Sequence, residues 1–247
     1  MRPASPPRMI FLFTDFGDEG PYLGQMDSVL LQHGNRDIVR LMNDAPRFDP
    51  AASAFLLAAL VPFTPPSSVI LGVVDPGVGG DRAPIVLEAD GRWFVGPDNG
   101  LFNTVAARCR QPAWFRIDWR PGLLTPTFHG RDLFAPIAAR IAQRDFTWAH
   151  TPYAGPDLTA WPDEFDRVIY FDAYGNAMTG RRYLPTFGGR RLRVGSHWLE
   201  EARTFSAVEA GTAFWYCNSI GLIEIAVSRG SARAVLDLSL GMAVALA

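Results

Sequence analysis

"LGVVDPGVGGDRAPIVL", residues 71–87, is the stretch on which the fold turns. An apolar run from Ile70 to Val74 ends at Asp75, passes Gly77, Gly79, Gly80, Asp81 and Arg82, and then re-enters apolar sequence. A plain hairpin needs one or two glycines and no particular charge. A buried strand that ends in charged, glycine-rich sequence is instead what a parallel α/β sheet places at its ligand crevice, where glycine lets backbone amides approach a ligand closely.

The same pattern recurs on either side of that loop. "MIFLFTDFG" (9–17) reads as a buried first strand over Ile10 to Phe13 that ends in polar residues. "QMDSVLLQHG" (25–34) has helical apolar spacing and a glycine stop, and "DIVRLM" (37–42) is a second strand. "DPAASAFLLAALVPF" (49–63) is a second helix with Asp49 at its cap and Pro50 at its first position. "SSVILGVVD" is the third strand, "APIVLEA" and "WFVGPDNG" form a strand pair, and "NTVAARC" and "GRDLFAPIAARIAQR" are helices. Strands alternating with helices imply an α/β fold, a mostly parallel sheet flanked by helices.

Beyond the Pro, Gly and Asp of residues 152–162 the periodicity changes. "FDRVIYFDAYGNAMTG", "RRLRVGSHWLE", "AFWYCNSIGLIEIAV" and "GMAVALA" are short β runs separated by turn signals. The expected organisation is a disordered leader (1–8, with Met9 an alternative start), an α/β domain (9–155) and a smaller all-β, barrel-like domain (160–247).

Composition narrows the chemistry. The chain has 247 residues and a formal charge of -2, which offers no basic stripe to nucleic acid and no polybasic patch to a membrane. No apolar run is long enough to span a bilayer, and the leader has too little apolar sequence behind it for a signal peptide. A small molecule is the expected partner. Two distant cysteines, Cys109 and Cys217, fit a cytoplasmic protein without a metal site. All 23 basic residues are arginine, so Schiff-base chemistry, a phosphate-loop lysine and a lysine base are excluded. Asp, Arg and His remain as reagents. Of the four histidines, His33 caps a helix and His150 and His197 sit in polar contexts, whereas His129 lies in "TFHGRD", a loop that launches a helix.

In this order, "TDFGDEGPYLGQM" (14–26), "VVDPGVGGDR" (73–82), "VGPDNGL" (95–101), "TFHGRDLFAPIAA" (127–139), "FDAYGN" (171–176) and "NSIGLIEIAV" (218–227) resemble the S-adenosyl-L-methionine (SAM) hydrolases. These adenosine-forming enzymes, also called SAM hydroxide adenosyltransferases, are relatives of the fluorinases and chlorinases. The resemblance implies an N-terminal α/β domain, a C-terminal barrel-like domain and a homotrimer with substrate at subunit interfaces. It implies the conversion of SAM and water to adenosine and L-methionine with no cofactor and no metal.

By the same resemblance Asp75, Arg82 and His129 form a catalytic set that positions and activates water, His129 accepting the proton. Asp15 takes the ribose hydroxyls and Phe48 stacks on the nucleoside, with Thr127 and Phe128 beside them. Asp172, Ser219 and Ile220 belong to the methionine end. Tyr174 stacks, Asn176 contacts adenine, and the backbone around Val227 and Arg229 completes that side. Asp98 and Asn99 are expected to hold their loop.

The related halogenases carry an insertion between the equivalents of Arg82 and "GPDNG", where this chain has only residues 83–95. They also lack the Asp and His at positions 75 and 129. Both differences favour hydrolysis over halide transfer. A halide-dependent adenosyltransferase, and a SAM or nucleoside sensor without turnover, are the alternative readings.

Overall fold

The structure, a computed structural model, describes residues 8–247 and divides after Trp161 into two compact units. The expected leader lies outside the described residues except for Arg8, which packs on the first unit. Its N–H donates to the Ala142 carbonyl at 2.8 Å and its guanidinium lies over Trp93 and Phe146.

The first unit contains strands β1 (Ile10–Thr14), β2 (Ile38–Met42), β3 (Val69–Val73), β4 (Pro84–Ala89), β5 (Arg92–Pro97), β6 (Ala113–Ile117) and β7 (His150–Tyr153). Its helices are α1 (Tyr22–Gln32), α2 (Pro50–Leu60), α3 (Asn103–Arg108) and α4 (Ala135–Ala142), the last entered through a π-helical turn over Gly130–Phe134. The sheet order is β2-β1-β3-β5-β4-β6-β7. The four strands β2, β1, β3 and β5 are parallel, and β4, β6 and β7 extend the sheet in antiparallel fashion. The change of direction is written at Asp90-Gly91, both with positive φ, a two-residue turn of the kind that folds β4 back on β5.

Strand β1 shows how the layers form. Ile10 and Leu12 join Met26 and Leu30 of α1 and Ile137 and Ile141 of α4 on one face. Phe11 and Phe13 join Leu57 of α2 and Val105 of α3 on the other. Alternation with period two sends neighbouring side chains to opposite faces, so a strand covered on both sides is apolar throughout. Each large side chain so buried contributes about 1.5–3 kcal/mol. Asp49 caps α2 by accepting the Ala52 N–H at 2.9 Å, with Pro50 at the first helical position. Trp161 closes the unit, stacking on Phe55 at 6.0 Å and donating its indole N–H to Thr104.

The second unit contains β8 (Phe165–Phe171), β9 (Ala177–Arg182), β10 (Leu192–Val194), β11 (His197–Glu201), β12 (Ala213–Cys217), β13 (Leu222–Val227), the short helix α5 (Ala232–Val235) and β14 (Val244–Leu246). The order is β14-β10-β11-β12-β13-β9-β8. Only β11 and β12 pair in parallel. A bridge between Arg167 and Ala243 brings the β8 edge back beside β14, so the sheet is a nearly closed barrel around Trp215, Ile223 and Ile225. Among the described residues no helix is long and apolar enough to cross a membrane.

Candidate active site

Helices α1 and α2 cover opposite faces, so the chain leaves the adjacent strands β1 and β3 at a topological switch point, where open α/β sheets bind ligands. Thr14 and Val73 pair there, placing Asp15 and Asp75 just beyond neighbouring strand ends. A cavity of about 440 Å³ opens at this place, within the range of small-molecule sites. Asp15 and Phe16 line it from β1, and Asp75, Pro76 and Val78 from β3. Arg47 and Phe48 line it from the approach to α2, and Thr127, Phe128, His129 and Gly130 from the entry to α4.

Asp75, Arg82 and His129 form one continuous chain of contacts. The Arg82 Nε–H reaches both Asp75 oxygens at 3.1 Å, and Nη2 reaches Asp75 Oδ2 at 2.5 Å. The same Nη2 lies 2.9 Å from His129 Nδ1. The pair is well shielded, with the Asp75 side chain 4% and the Arg82 side chain 10% exposed. Arg82 also lies over the Phe134 ring at 5.3 Å. Gly79 brings the two loops together: it has φ +82° and sits so close to the Pro126 carbonyl that a Cβ would lie 2.7 Å from that oxygen. Asn99 pins the end of β3 by donating to the Val74 carbonyl at 2.8 Å, and Asp98 accepts the Tyr153 hydroxyl at 2.6 Å, which raises that phenol to about 12.

Guanidinium has donors only, so the Nδ1 that meets Arg82 is an acceptor and the neutral ring carries its proton on Nε2. Burial, then the Arg82 charge, lowers the His129 pKa and favours that neutral form. With Nδ1 turned to Arg82, the neutral ring presents its Nε2–H as a hydrogen-bond donor.

Asp15 Oδ2 accepts the Phe48 N–H at 3.1 Å, and burial raises the Asp15 pKa against that bond and the nearby Arg47 charge. Phe48 is 75% exposed and held at φ +59°, a conformation that disfavours a bulky L-residue. Phe16, Tyr22 and Phe128, which line the same cavity, form an aromatic triad with centroids 5.4–5.9 Å apart. The His129 loop is braced from behind: Arg131 pairs with Asp132 and reaches Gln25 of α1 at 2.6 Å and Thr125 at 3.0 Å.

The remaining expected residues belong to the second unit. A cavity of about 600 Å³ there is lined by Asp172, Tyr174, Asn176, Val227 and Arg229, together with Phe205, Tyr216 and Gly230. Asp172 is engaged by its own turn, accepting the Tyr174 and Asn176 N–H groups and Asn176 Nδ2, all at 2.9 Å. The buried Asn176 Oδ1 has no hydrogen-bond partner among the described residues. Ser219 and Ile220 occupy the turn between β12 and β13 and are not among the residues lining this cavity. Phe16, Tyr22 and Arg47 in the first unit, and Phe205 and Tyr216 in the second, were not singled out from sequence. The first two stand in the quoted "TDFGDEGPY" and could have been flagged as aromatics in a polar glycine loop; Phe205 carries no such local signal.

A crevice of this size at a switch point, with a shielded Asp-Arg-His chain at its wall, defines a small-molecule active site of an α/β enzyme. Comparison with known proteins makes the class specific. Residues 10–150 match the SAM hydroxide adenosyltransferase N-terminal domain and residues 166–245 its C-terminal domain. A Thermus thermophilus protein named (R)-S-adenosyl-L-methionine hydrolase is 36% identical, spanning 97% of this chain and 99% of its own. A Salinispora arenicola protein of the same name is 32% identical over 96% of this chain and 97% of its own. Among solved structures, an uncharacterized conserved protein from Thermotoga maritima superposes with a TM-score of 0.86 at 28% identity, covering 96% of this chain and 99% of that one. The chain belongs to the SAM hydroxide adenosyltransferase family.

Proposed function

We propose that this protein hydrolyses S-adenosyl-L-methionine to adenosine and L-methionine, with the reacting oxygen held against the Asp75-Arg82-His129 chain. The single observation that carries the site assignment is the 2.9 Å contact joining Arg82 to His129 beside the cavity. Water has a pKa near 15.7, so a site that works near neutrality must favour hydroxide. The fixed charge of Arg82 supplies that bias, Asp75 orients the guanidinium, and His129 donates its Nε2–H to the oxygen. One proton leaves to solvent as hydroxide forms. Hydroxide then attacks the ribose C5′, the C5′–S bond breaks, and its electron pair returns to sulfur. The leaving group is a neutral thioether, so the step needs no acid, metal or redox cofactor.

In this reading Asp15 accepts the ribose hydroxyls, and Phe48, Thr127 and Phe128, which line the same cavity, surround the sugar and base. Asn176 Oδ1 suits an exocyclic amine, beside Tyr174, Val227 and Arg229, and Asp172 with the Ser219-Ile220 turn serves the methionine end. We further propose a cytoplasmic homotrimer in which cavities of different protomers complete one another, on the strength of the family resemblance.

The test is incubation with SAM in chloride-free and chloride-containing buffer, following adenosine, methionine and 5′-halonucleoside by chromatography. Equal yields of adenosine and methionine, independent of halide, are expected. A halogenated nucleoside makes the protein a halide transferase; tight binding without product makes it a sensor.

A further inference from the structure

Strand β13 is buried along its whole length and carries one charged residue, Glu224, which is 2% exposed. Its partners are neutral: Oε1 accepts the Tyr216 hydroxyl and Oε2 accepts Asn218 Nδ2, each at 2.7 Å. Burying a carboxylate against neutral donors costs more than an apolar residue would, so packing does not account for it. What its two partners do is informative. Tyr216 lines the second-unit cavity and stands edge-on to Phe205, another lining residue, at 5.3 Å. Asn218 Oδ1 accepts the Ile220 and Leu222 N–H groups at 3.1 and 2.9 Å, closing the turn that carries Ser219. One carboxylate therefore anchors both an aromatic wall of the cavity and the neighbouring turn.

We propose that Glu224 is the positioning residue of the second-unit cavity, fixing the Tyr216 ring and the Ser219 turn in one arrangement before ligand arrives. Glu224 does not itself line the cavity. The inference rests on the reading that this cavity receives part of SAM. Preorganisation of this kind is felt in binding more than in the chemical step.

The test uses Glu224→Gln, which keeps the shape but replaces the charged acceptor by a neutral amide, its oxygen left for Asn218 Nδ2 and the Tyr216 hydroxyl reduced to a neutral contact with the amide N–H, and Tyr216→Phe, which keeps the ring and removes the hydroxyl. Wild type and variants are compared for SAM turnover, for adenosine binding by calorimetry and for thermal midpoint. Each variant is expected to raise KM for SAM and Kd for adenosine about tenfold, the effect of a hydrogen bond to a charged group, with kcat within about threefold. Because both substitutions break the same link, the double variant is expected to bind no more weakly than Glu224→Gln alone. If Glu224→Gln does not fold, Tyr216→Phe decides the matter. Unchanged KM and Kd in Tyr216→Phe, or a fall in kcat with KM unchanged, overturns the proposal. A wild type that neither binds adenosine nor turns over SAM removes the functional reading and this inference together; a working wild type with equally good variants removes the inference alone.

Discussion

Arg82 Nη2 faces His129 Nδ1 at 2.9 Å, and this contact sets the tautomer of the imidazole as well as its position. Protonation of Nδ1 would set an imidazolium directly against a guanidinium. The groups facing the ring are Arg82 and Arg120, which disfavour its charge, and Asp75 and Asp132, which favour it. Burial and Arg82 prevail, so the folded pKa lies below that of a free histidine.

The first expectation is therefore an acid limb in the activity profile below the ordinary histidine value of about 6.5, with kcat level through neutrality. The sign for stability follows. A depressed folded pKa means that the unfolded chain takes up the proton first, so the contribution is complete above about 6.5 and is lost as pH falls through the folded value. A pH–rate series on wild type and His129→Gln checks this. An acid limb at or above the free-histidine value, or one that survives unchanged in His129→Gln, would contradict this account.

Arg82→Lys separates charge from geometry. A lysine keeps the positive charge beside the buried Asp75 but cannot fork between a carboxylate and an imidazole. The expected loss in kcat is about 10²- to 10³-fold, typical of removing one preorganised donor, with KM little changed. Arg82→Ala is expected to be worse folded, because it abandons a buried carboxylate at a cost of about 3–5 kcal/mol. Thermal melts beside steady-state kinetics distinguish the two effects.

Asp15→Asn is expected to trade binding for stability. Burial raises the folded Asp15 pKa above its unfolded value, so ionising this group opposes folding. The penalty is absent below the unfolded pKa and grows as pH rises through the folded one. Asparagine keeps an acceptor for the Phe48 N–H and escapes the charge, so the variant melts higher than wild type at neutral pH, and the gap narrows toward pH 4. KM for SAM is expected to rise about tenfold, since charged acceptors hold hydroxyls more tightly than neutral ones. A lower melting point for the variant at neutral pH would contradict this account.

These sites differ in how far sequence exposes them. The strands ending at Asp15 and Asp75 and the cap at Asp49 are written in local pattern, because period-two burial and N-cap chemistry act over a few residues. The adjacency of Asp15 and Asp75 is not local; it comes from β1 lying beside β3, which the order of helices along the chain does not fix. Arg82 and His129 are 47 residues apart, and no spacing rule reveals their contact or the tautomer it imposes. The family resemblance supplied that grouping. Glu224 stands in plain sight in "LIEIAV", yet its partners come from the neighbouring strand and turn, so its role is legible only in three dimensions.

Phe48 supplies a last test, because its backbone and its side chain make opposite demands. The ring is largely exposed, so its removal opens no core cavity, while φ +59° costs about 1–3 kcal/mol for a non-glycine residue. Phe48→Gly relieves that cost and is expected to raise the melting temperature by about 2–4 °C per kcal/mol recovered for a chain of this size. Phe48→Ala keeps the strained backbone and gains nothing. Both lose the aromatic face over the cavity, and both are expected to bind adenosine about tenfold more weakly, within the range of a lost base-stacking contact. A glycine variant that melts no higher than the alanine variant would show that the backbone at this position is unstrained, and a glycine variant that binds adenosine as well as wild type would remove Phe48 from the nucleoside site.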